Sequence, residues 1–270
     1  MAASLRHAAV AGRFYPGDPA TLLADVKSHL APVTEPVPAL GCVAPHAGFM
    51  YSGHVAGAVY AGLAIPRRVV VMCPNHTGMG QPLSINTQGA WETPLGRVSV
   101  DTELASTLLE TFSPLSDDAE AHRKEHGIEV QLPFLQARRA QLALVPIAVG
   151  TGHYESLAGL GHALAEVIAA QSEPVLIVAS SDMNHYESDS ITRVKDRKAI
   201  DCILALDARG LYDTVLNEDI SMCGFGPTVA MITATKELGA SRAELVKYAT
   251  SGDISGDREM VVGYAGVIVR

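Results

Sequence analysis

The sequence predicts an α/β protein: a three-layer αβα sandwich with a mostly parallel central sheet. Short apolar segments recur along the 270 residues, and segments with helical periodicity lie between them. The apolar segments do not alternate polar and apolar residues. Strands that are apolar on both faces are typical of parallel sheets covered by helices on both sides. We expect one domain that spans residues 1–270.

The predicted elements follow each other in a regular order. Asp18 and Pro19 mark the first helix, because an N-cap residue precedes proline at the first helical position. The predicted strands are 40–44, 68–73, 142–149, 174–179 and 260–269. Further helices are predicted at 53–64, 101–112, 125–139, 154–171, 191–216 and 227–238. The segment 80–100 is less regular and predicts a hairpin or edge strands.

Composition and charge argue against several classes of protein. The net charge is −9 and no run of Lys and Arg exceeds two residues, whereas nucleic-acid binding needs clustered cations. No apolar stretch approaches the roughly 18 residues of a membrane span, and the first residues lack the apolar core of a signal peptide. The four cysteines have no paired spacing, which is typical of reduced thiols. We therefore expect a cytoplasmic protein that binds neither nucleic acid nor membrane.

Titratable side chains follow three of the predicted strands. His46 ends the stretch GCVAPH, His76 ends VVVMCPNH, and Asp182 and His185 end LIVASSDMNH. Ligands of open α/β sheets bind beyond the carboxyl ends of the strands, so these side chains are expected to converge. A single histidine at a strand end is more often a surface or capping residue. Three strand ends of this kind favour a common functional site.

Cys223 lies in the Gly-rich stretch SMCGFGP, just before a helix predicted to open near Pro227. A helix N-terminus stabilises a thiolate, so we expect a depressed pKa for Cys223. The alternative is a small buried apolar residue, the commoner fate of a free cysteine. Glycines on both sides of Phe225 favour the site, since they allow close approach of the backbone. The cysteines expected to be structural are Cys42, Cys73 and Cys202.

The remaining histidines carry weaker predictions. His126 and Glu129 are three residues apart on a predicted helical face, which suggests contacts to the ligands or to substrate, or a simple surface pair. His54 is predicted near the start of a helix. His122 is predicted at the surface, within the charged run EAHRKEH. The histidines expected to be solvated are His7, His29, His153 and His162.

The strand-end residues and Cys223 suggest a chemistry. Two imidazoles and a thiolate from three loops could hold a divalent metal. Asp182 and His185 are predicted to form a proton-transfer pair beside it, in which the carboxylate orients the imidazole. This role would explain why so many hydrogen-bonding side chains directly follow the apolar strand 174–179.

Several blocks of sequence in one order point to a known family. They are AGRFYPGDPATL, APHAGFMYSG, CPNHTG, EHGIEVQLPFL, VPIAVG, SSDMNHY, CGFGP and GYAGVIV. Together they resemble the Memo family, whose distant structural relatives are class III extradiol dioxygenases. The resemblance covers nearly the whole chain. It implies an extradiol-dioxygenase-like fold, a metal site at His46, His76 and Cys223, and catalytic roles for Asp182 and His185.

The resemblance also implies a function and partners. It implies a metal-dependent oxidoreductase of the dioxygenase type, with Fe²⁺ as the metal and a small, phenolic molecule as substrate. Copper and zinc are alternatives, because a thiolate is a softer ligand than the carboxylate of the dioxygenases. A non-catalytic adaptor that binds metal or peptide and a metal-dependent hydrolase are the competing functions. Prokaryotic members of the family often accompany a radical-SAM protein and a third small protein, so the resemblance implies these two proteins as partners.

Overall fold

Apolar runs that are buried along their whole length form the centre of the sheet. The computed structural model describes residues 4–30, 32 and 35–270. The strands within these residues are β1 (Leu5–Arg6), β2 (Gly41–Ala44), β3 (Arg68–Pro74), β4 (Leu83–Ile85), β5 (Ala90–Thr93), β6 (Gly96–Val100), β7 (Ser116–Asp117), β8 (Ala143–Val149), β9 (Val175–Ser180), β10 (His185–Glu187), β11 (Ala243–Thr250) and β12 (Val261–Val269). All residues of β2, β3, β8 and β9 are buried. These four strands are the core of the molecule.

The strand order is β1-β5-β6-β8-β3-β9-β2-β12-β10. The five strands from β6 to β2 are mutually parallel. Beyond β2 the sheet changes direction, because β12 pairs antiparallel with β2 and also with β11. On the other side, β4 pairs antiparallel with β8. The sheet is therefore parallel at its centre and mixed towards its edges, which confirms the predicted mostly parallel sheet.

Helices cover both faces of this sheet. They are α1 (Pro19–His29), α2 (Phe49–Gly62), α3 (Thr102–Thr111), α4 (Leu132–Arg138), α5 (Tyr154–Ala169), α6 (Asp189–Leu204), α7 (Ala208–Asn217), α8 (Phe225–Glu237) and α9 (Gly252–Ser255). One layer contains α1, α2 and α4, which pack on one another. The other contains α3, α5 and α8, with α8 against β2, β3 and β9. The predicted three-layer sandwich is confirmed, and no helix of the described residues is long and apolar enough to cross a membrane.

Two predicted helices need correction, and one long strand was missed. The predicted helix 191–216 is two helices, α6 and α7, because Leu206 adopts a positive φ of 53° and Asp207 caps a new helix. The predicted helix 125–139 is helical only from the 3₁₀ turn Glu129–Gln131 onwards. Strand β11 was not predicted. Its exposed positions and its place at the edge of the sheet give it no continuous apolar run.

The parallel strands bring the predicted site residues to one edge. β2, β3 and β9 end at Ala44, Pro74 and Ser180, and β2 and β3 both pair with β9 in register. The loops that follow therefore start at the same rim. The loop before α8 reaches this rim as well, because α8 packs against all three strands.

Candidate metal centre

The structure brings His46, His76 and Cys223 together. One ligand atom from each, two imidazole nitrogens and the sulfur, lies within 4.8 Å of the other two. The rings of His46 and His76 are nearly perpendicular, with centroids 5.1 Å apart. The Sγ atom of Cys223 lies 3.2 Å from Nε2 of His46. The three predicted metal ligands thus form one cluster in the structure.

The hydrogen bonds of His46 determine which ring nitrogen is free. Its Nδ1 atom lies 2.9 Å from Oγ of Ser180, and that hydroxyl already donates to the carbonyl oxygen of Gly127. Since the hydroxyl proton is committed, Nδ1 of His46 must donate. The lone pair is then on Nε2, the atom that faces Cys223. Burial and the neighbouring His76 lower the pKa of His46 to about 3, so this ring is neutral.

His76 is oriented in the same way by a residue that the sequence prediction missed. Both oxygens of Glu125 accept from His76: Oε1 from Nδ1 at 2.8 Å, and Oε2 from the backbone N–H at 2.7 Å. An ionised carboxylate only accepts, so Nδ1 of His76 donates, and in the neutral ring Nε2 carries the lone pair. Carboxylates that orient metal-binding histidines in this way are common in metalloproteins. His46 and His76 therefore both present Nε2 as the free ligand atom.

Glu125 is a buried carboxylate surrounded by donors. Besides His76, the backbone N–H groups of His126 and Gly127 donate to its Oε1 atom, each at 2.8 Å. Burial by itself raises the pKa of Glu125, but the hydrogen bond from His76 and the nearby imidazoles lower it to about 2. It lies in the run EAHRKEH, whose charges suggest exposure. Only the fold shows that this glutamate points inward.

A second set of possible ligands adjoins the first. His76, Glu125 and His126 also have ligand atoms within 4.8 Å of one another. However, Glu125 already accepts four hydrogen bonds, and Nδ1 of His76 is one of the donors. The ring of His126 stacks on that of His76 with centroids 4.6 Å apart. This set is therefore better suited to support His76 than to hold an ion of its own.

Cys223 lies where it was predicted, immediately before α8, whose N-cap is Gly224. A side chain at Gly224 would meet Cβ of Ser181 at 2.4 Å, so glycine is needed for the loop to approach β9. The predicted depressed pKa is wrong. Burial raises the pKa of the Cys223 thiol, and the carboxylate of Asp182 raises it further. These two effects outweigh the hydrogen bonds with the N–H of Asp182 and the hydroxyl of Ser181, so the thiol needs a nearby cation to ionise.

Asp182 and His185 lie beside the cluster but do not form the predicted oriented pair. Asp182 accepts backbone N–H groups of His46 and Ala47 at 2.8 and 3.3 Å. His185 instead places Nδ1 2.9 Å from the carbonyl oxygen of Ser221. Burial raises the pKa of Asp182, whereas the amide of His46 and the charge of His185 oppose the rise. The two groups interact electrostatically, but it is Ser221 that orients the imidazole.

His122 and Glu129 depart from their predictions. His122 is only 1% exposed and packs edge-on against Trp91, with ring centroids 5.6 Å apart. Burial lowers its pKa to about 4. His126 precedes the 3₁₀ turn that begins at Glu129, so the two residues do not share a helical face. It accepts from the hydroxyl of Tyr15, at 2.6 Å, and pairs with Arg6.

The other predictions for histidines and cysteines are largely confirmed. His54 lies within α2 and is partly buried. His29 is also partly buried, contrary to prediction. The histidines that are exposed as expected are His7, His153 and His162. The cysteines that lie within strands or a helix as expected are Cys42, Cys73 and Cys202.

Comparisons with known proteins agree with one another. The family model described as Memo-like protein matches residues 6–268. A MEMO1 family protein of Methanothermobacter thermautotrophicus is 42% identical, over 97% of this chain and 99% of that protein. A MEMO1 family protein of Methanosarcina mazei is 44% identical, over 98% and 99%. An uncharacterized protein of Escherichia coli K12, of known crystal structure, shares the fold. Its TM-score is 0.53 at 14% identity, over 78% of this chain and 89% of that one.

Proposed function

This chain belongs to the Memo family, and we propose that it is a metal-dependent oxidoreductase of the dioxygenase type. It holds one divalent metal at His46, His76 and Cys223 and acts on a small molecule, with phenolic compounds as the first candidates. The observation that carries this proposal is the ligand cluster: three donor atoms within 4.8 Å. In both imidazoles Nδ1 is hydrogen-bonded, to Ser180 in one and to Glu125 in the other, which leaves Nε2 to bind a metal.

The donor set fits a transition metal. Two imidazole nitrogens and one thiol that ionises on binding suit Fe²⁺, copper or zinc, and we propose Fe²⁺. The buried thiol has a raised pKa, so loading releases its proton and depends on pH. A bound Fe²⁺ with open positions would supply redox chemistry towards dioxygen and substrate. Zinc would instead supply an activated water, as in the alternative hydrolase function.

The protein's own groups supply positioning and proton transfer. His185 donates through Nδ1 to a carbonyl oxygen, so the neutral ring has its lone pair on Nε2 and can accept a proton there. Asp182 holds the backbone of His46 in place by accepting its N–H. It thereby supports a ligand as well as acting electrostatically on His185. We propose His185 as the general acid/base and Asp182 as the carboxyl group beside it.

One observation favours the alternative of a non-catalytic adaptor. Tyr186, next to His185, is 70% exposed, and Met50, in the first turn of the helix after His46, is 66% exposed. Tyr186 also has a positive φ of 60°, which is unusual for a residue other than glycine. Exposed large side chains close in sequence to the site residues suit a protein or peptide partner. The radical-SAM protein and the third small protein remain predictions.

Metal content and oxygen uptake test the proposal. Protein purified without oxygen should contain about one metal per chain, with iron as the main element. The double variant His46→Ala/His76→Ala should lose this metal. A matched control is His153→Ala/His162→Ala, which removes two exposed histidines and should keep it. Loaded wild-type protein should consume oxygen with at least one compound of a catechol panel.

The outcomes separate the candidate functions. Unchanged metal content in the His46→Ala/His76→Ala variant would refute the metal site. Iron without oxygen uptake on any catechol would favour the adaptor, and zinc with turnover in the absence of oxygen would favour the hydrolase.

Exchanging the proton-transfer residues tests their roles separately from metal binding. Asp182→Asn and His185→Gln should keep the metal, because neither side chain belongs to the ligand cluster. Loss of general acid/base catalysis should lower turnover by about 10²–10⁴-fold. Metal-free Asp182→Asn or His185→Gln protein would show instead that these residues hold the metal.

A further inference from the structure

We infer that Asn184 is a positioning residue that acts through Ser221 to hold His185 in the tautomer with its proton on Nδ1. The inference deepens the proposed function, in which Nε2 of His185 accepts the proton. Asn184 lies one residue before His185 and is fully buried. Ser221 lies two residues before the ligand Cys223 and is exposed. The buried residue therefore anchors the exposed one.

Ser221 contacts His185 through its hydroxyl group and through its carbonyl oxygen, and the hydroxyl also lies 3.3 Å from the carbonyl oxygen of His185. Its Oγ accepts the backbone N–H of His185 at 2.8 Å, and its carbonyl oxygen lies 2.9 Å from Nδ1 of the same residue. A carbonyl oxygen can only accept, so Nδ1 must carry the proton whenever this contact is made. The tautomer of His185 thus depends on where the backbone of Ser221 is held.

Asn184 holds that backbone. Its Oδ1 atom accepts both the N–H and the Oγ–H of Ser221, each at 3.0 Å. Its Nδ2 group donates to the carboxylate of Glu187 at 2.7 Å. Its own N–H donates to Asp196 at 2.8 Å, and its carbonyl oxygen accepts from Gly263 at 2.9 Å. Every polar group of Asn184 is therefore engaged, and its amide has only one satisfied orientation.

The chemistry of this position requires an amide. The side that faces Ser221 must accept two hydrogen bonds, and the side that faces Glu187 must donate. An aspartate at 184 would place a second carboxylate against Glu187. A leucine would leave the N–H of Ser221 without its buried acceptor, which is costly. Asparagine accepts from Ser221 and donates to Glu187 at the same time, so its role here is to orient these groups and not only to fill space.

The same loop carries a metal ligand. The N–H of Gly224 donates to Oγ of Ser181 at 3.0 Å, and the N–H of Asp182 lies 3.3 Å from Sγ of Cys223. Together with the contacts of Ser221, these bonds join residues 221–224 to residues 181–185 along their length. The hydrogen bonds between these two loops therefore position both the base His185 and the ligand Cys223.

The tautomer of His185 can be measured directly. In protein labelled with ¹⁵N-histidine, the nitrogen chemical shifts at pH 8.5 distinguish Nδ1–H from Nε2–H. Wild-type His185 should be almost entirely Nδ1–H. In Asn184→Asp the hydrogen bond to Glu187 is replaced by repulsion between two carboxylates, which displaces the acceptor that holds Ser221. The ratio of Nε2–H to Nδ1–H should therefore rise by about two- to tenfold, the change expected for losing one net hydrogen bond. Ser221→Ala, which removes only the hydroxyl, should raise this ratio less.

A second exchange tests whether the polarity of the amide is what matters. In Asn184→Asp/Glu187→Gln, the new glutamine can donate to the new aspartate, while the aspartate still accepts from Ser221. This double variant should restore the wild-type tautomer. The matched control Glu187→Gln keeps an acceptor for Asn184 and should leave the tautomer unchanged. A residue that only fills space would not be rescued in this way.

Each outcome decides the inference. Wild-type His185 with a mixture of tautomers, or an unchanged ratio in both Asn184→Asp and Ser221→Ala, would overturn it. Failure of the double variant to restore Nδ1–H would also overturn it. If Asn184→Asp does not fold, Ser221→Ala decides by the same criterion. The measurement needs no substrate, so absent oxygen uptake would refute the proposed function without affecting this result.

Discussion

Two fully buried carboxylates each bind a residue of the candidate site, and their pKa values are shifted in opposite directions. Glu125 supports the ligand His76, and Asp196 supports Asn184 behind His185. Burial raises the pKa of both groups. In Glu125 the hydrogen bond from His76 and other donors reverse this and lower the pKa to about 2. In Asp196 burial prevails and raises the pKa to about 7.

The difference lies in the donors. Glu125 receives four N–H groups, one of them from an imidazole. Asp196 receives one backbone N–H, from Asn184, and the hydroxyl of Tyr248 at 2.7 Å. Two equally buried carboxylates therefore have pKa values shifted in opposite directions. The number and type of hydrogen-bond donors decide whether a buried carboxylate keeps its charge. Of these two acids, only Asp196 changes its charge near neutral pH.

The largest effect is expected at Glu125. In Glu125→Gln, one side of the carboxylate becomes an NH₂ group, which cannot accept from His76. This group must face either the ring N–H or the backbone N–H of His76, so His76 loses one of the two hydrogen bonds that fix its orientation. Metal affinity should fall by about 10–100-fold, the usual loss for such supporting residues. Isothermal titration with Zn²⁺ measures it, with the exposed Glu120→Gln as control. Equal affinity in the two variants would show that Glu125 does not orient His76.

A smaller effect is expected from Asp196 on stability. Because its pKa is raised in the folded state, its contribution is fully present below the unfolded pKa of about 4 and is lost as pH rises through about 7. Asp196→Asn removes this dependence. Between pH 5.5 and 8, the free energy of unfolding of the wild type should fall by about 2 kcal/mol more than that of the variant. Urea unfolding at both pH values tests this, and parallel changes would contradict it.

Glu125 should act with the opposite sign. Its lowered pKa means that its contribution is present above about pH 4.5 and is lost as pH falls towards 2. The neutral His46 and His122 add to this acid sensitivity, since burial lowers the pKa of both.

The smallest effect is expected at Tyr248. Tyr248→Phe keeps the ring but removes the hydroxyl that donates to Asp196. The pKa of Asp196 should rise further, and the variant should lose about 1 kcal/mol of unfolding free energy at pH 8. Carbon NMR of the Asp196 carboxyl group, followed against pH, measures the shift. Tyr212→Phe removes a hydroxyl bound to Gly152 and should leave that titration unchanged.

Predictions from the sequence succeeded where the signal is local. The apolar runs that became β2, β3, β8 and β9 are continuous along the chain, so their burial could be predicted without knowing the fold. Because parallel strands end at a common edge, the convergence of His46 and His76 followed from these runs. Strand β11 was missed because it lies at an edge and is half exposed, which leaves little hydrophobic signal.

The sequence by itself determined the α/β sandwich and the set of residues at its rim, because hydrophobic periodicity and strand ends are properties of short segments. The tertiary structure alone decided which nitrogen of each histidine is free. Ser180 lies 134 residues from His46, Glu125 lies 49 from His76, and Ser221 lies 36 from His185. Hydrogen bonds between residues so far apart depend on the packing of the whole chain. No local pattern encodes them, and they determine which atoms of the site can bind a metal or accept a proton.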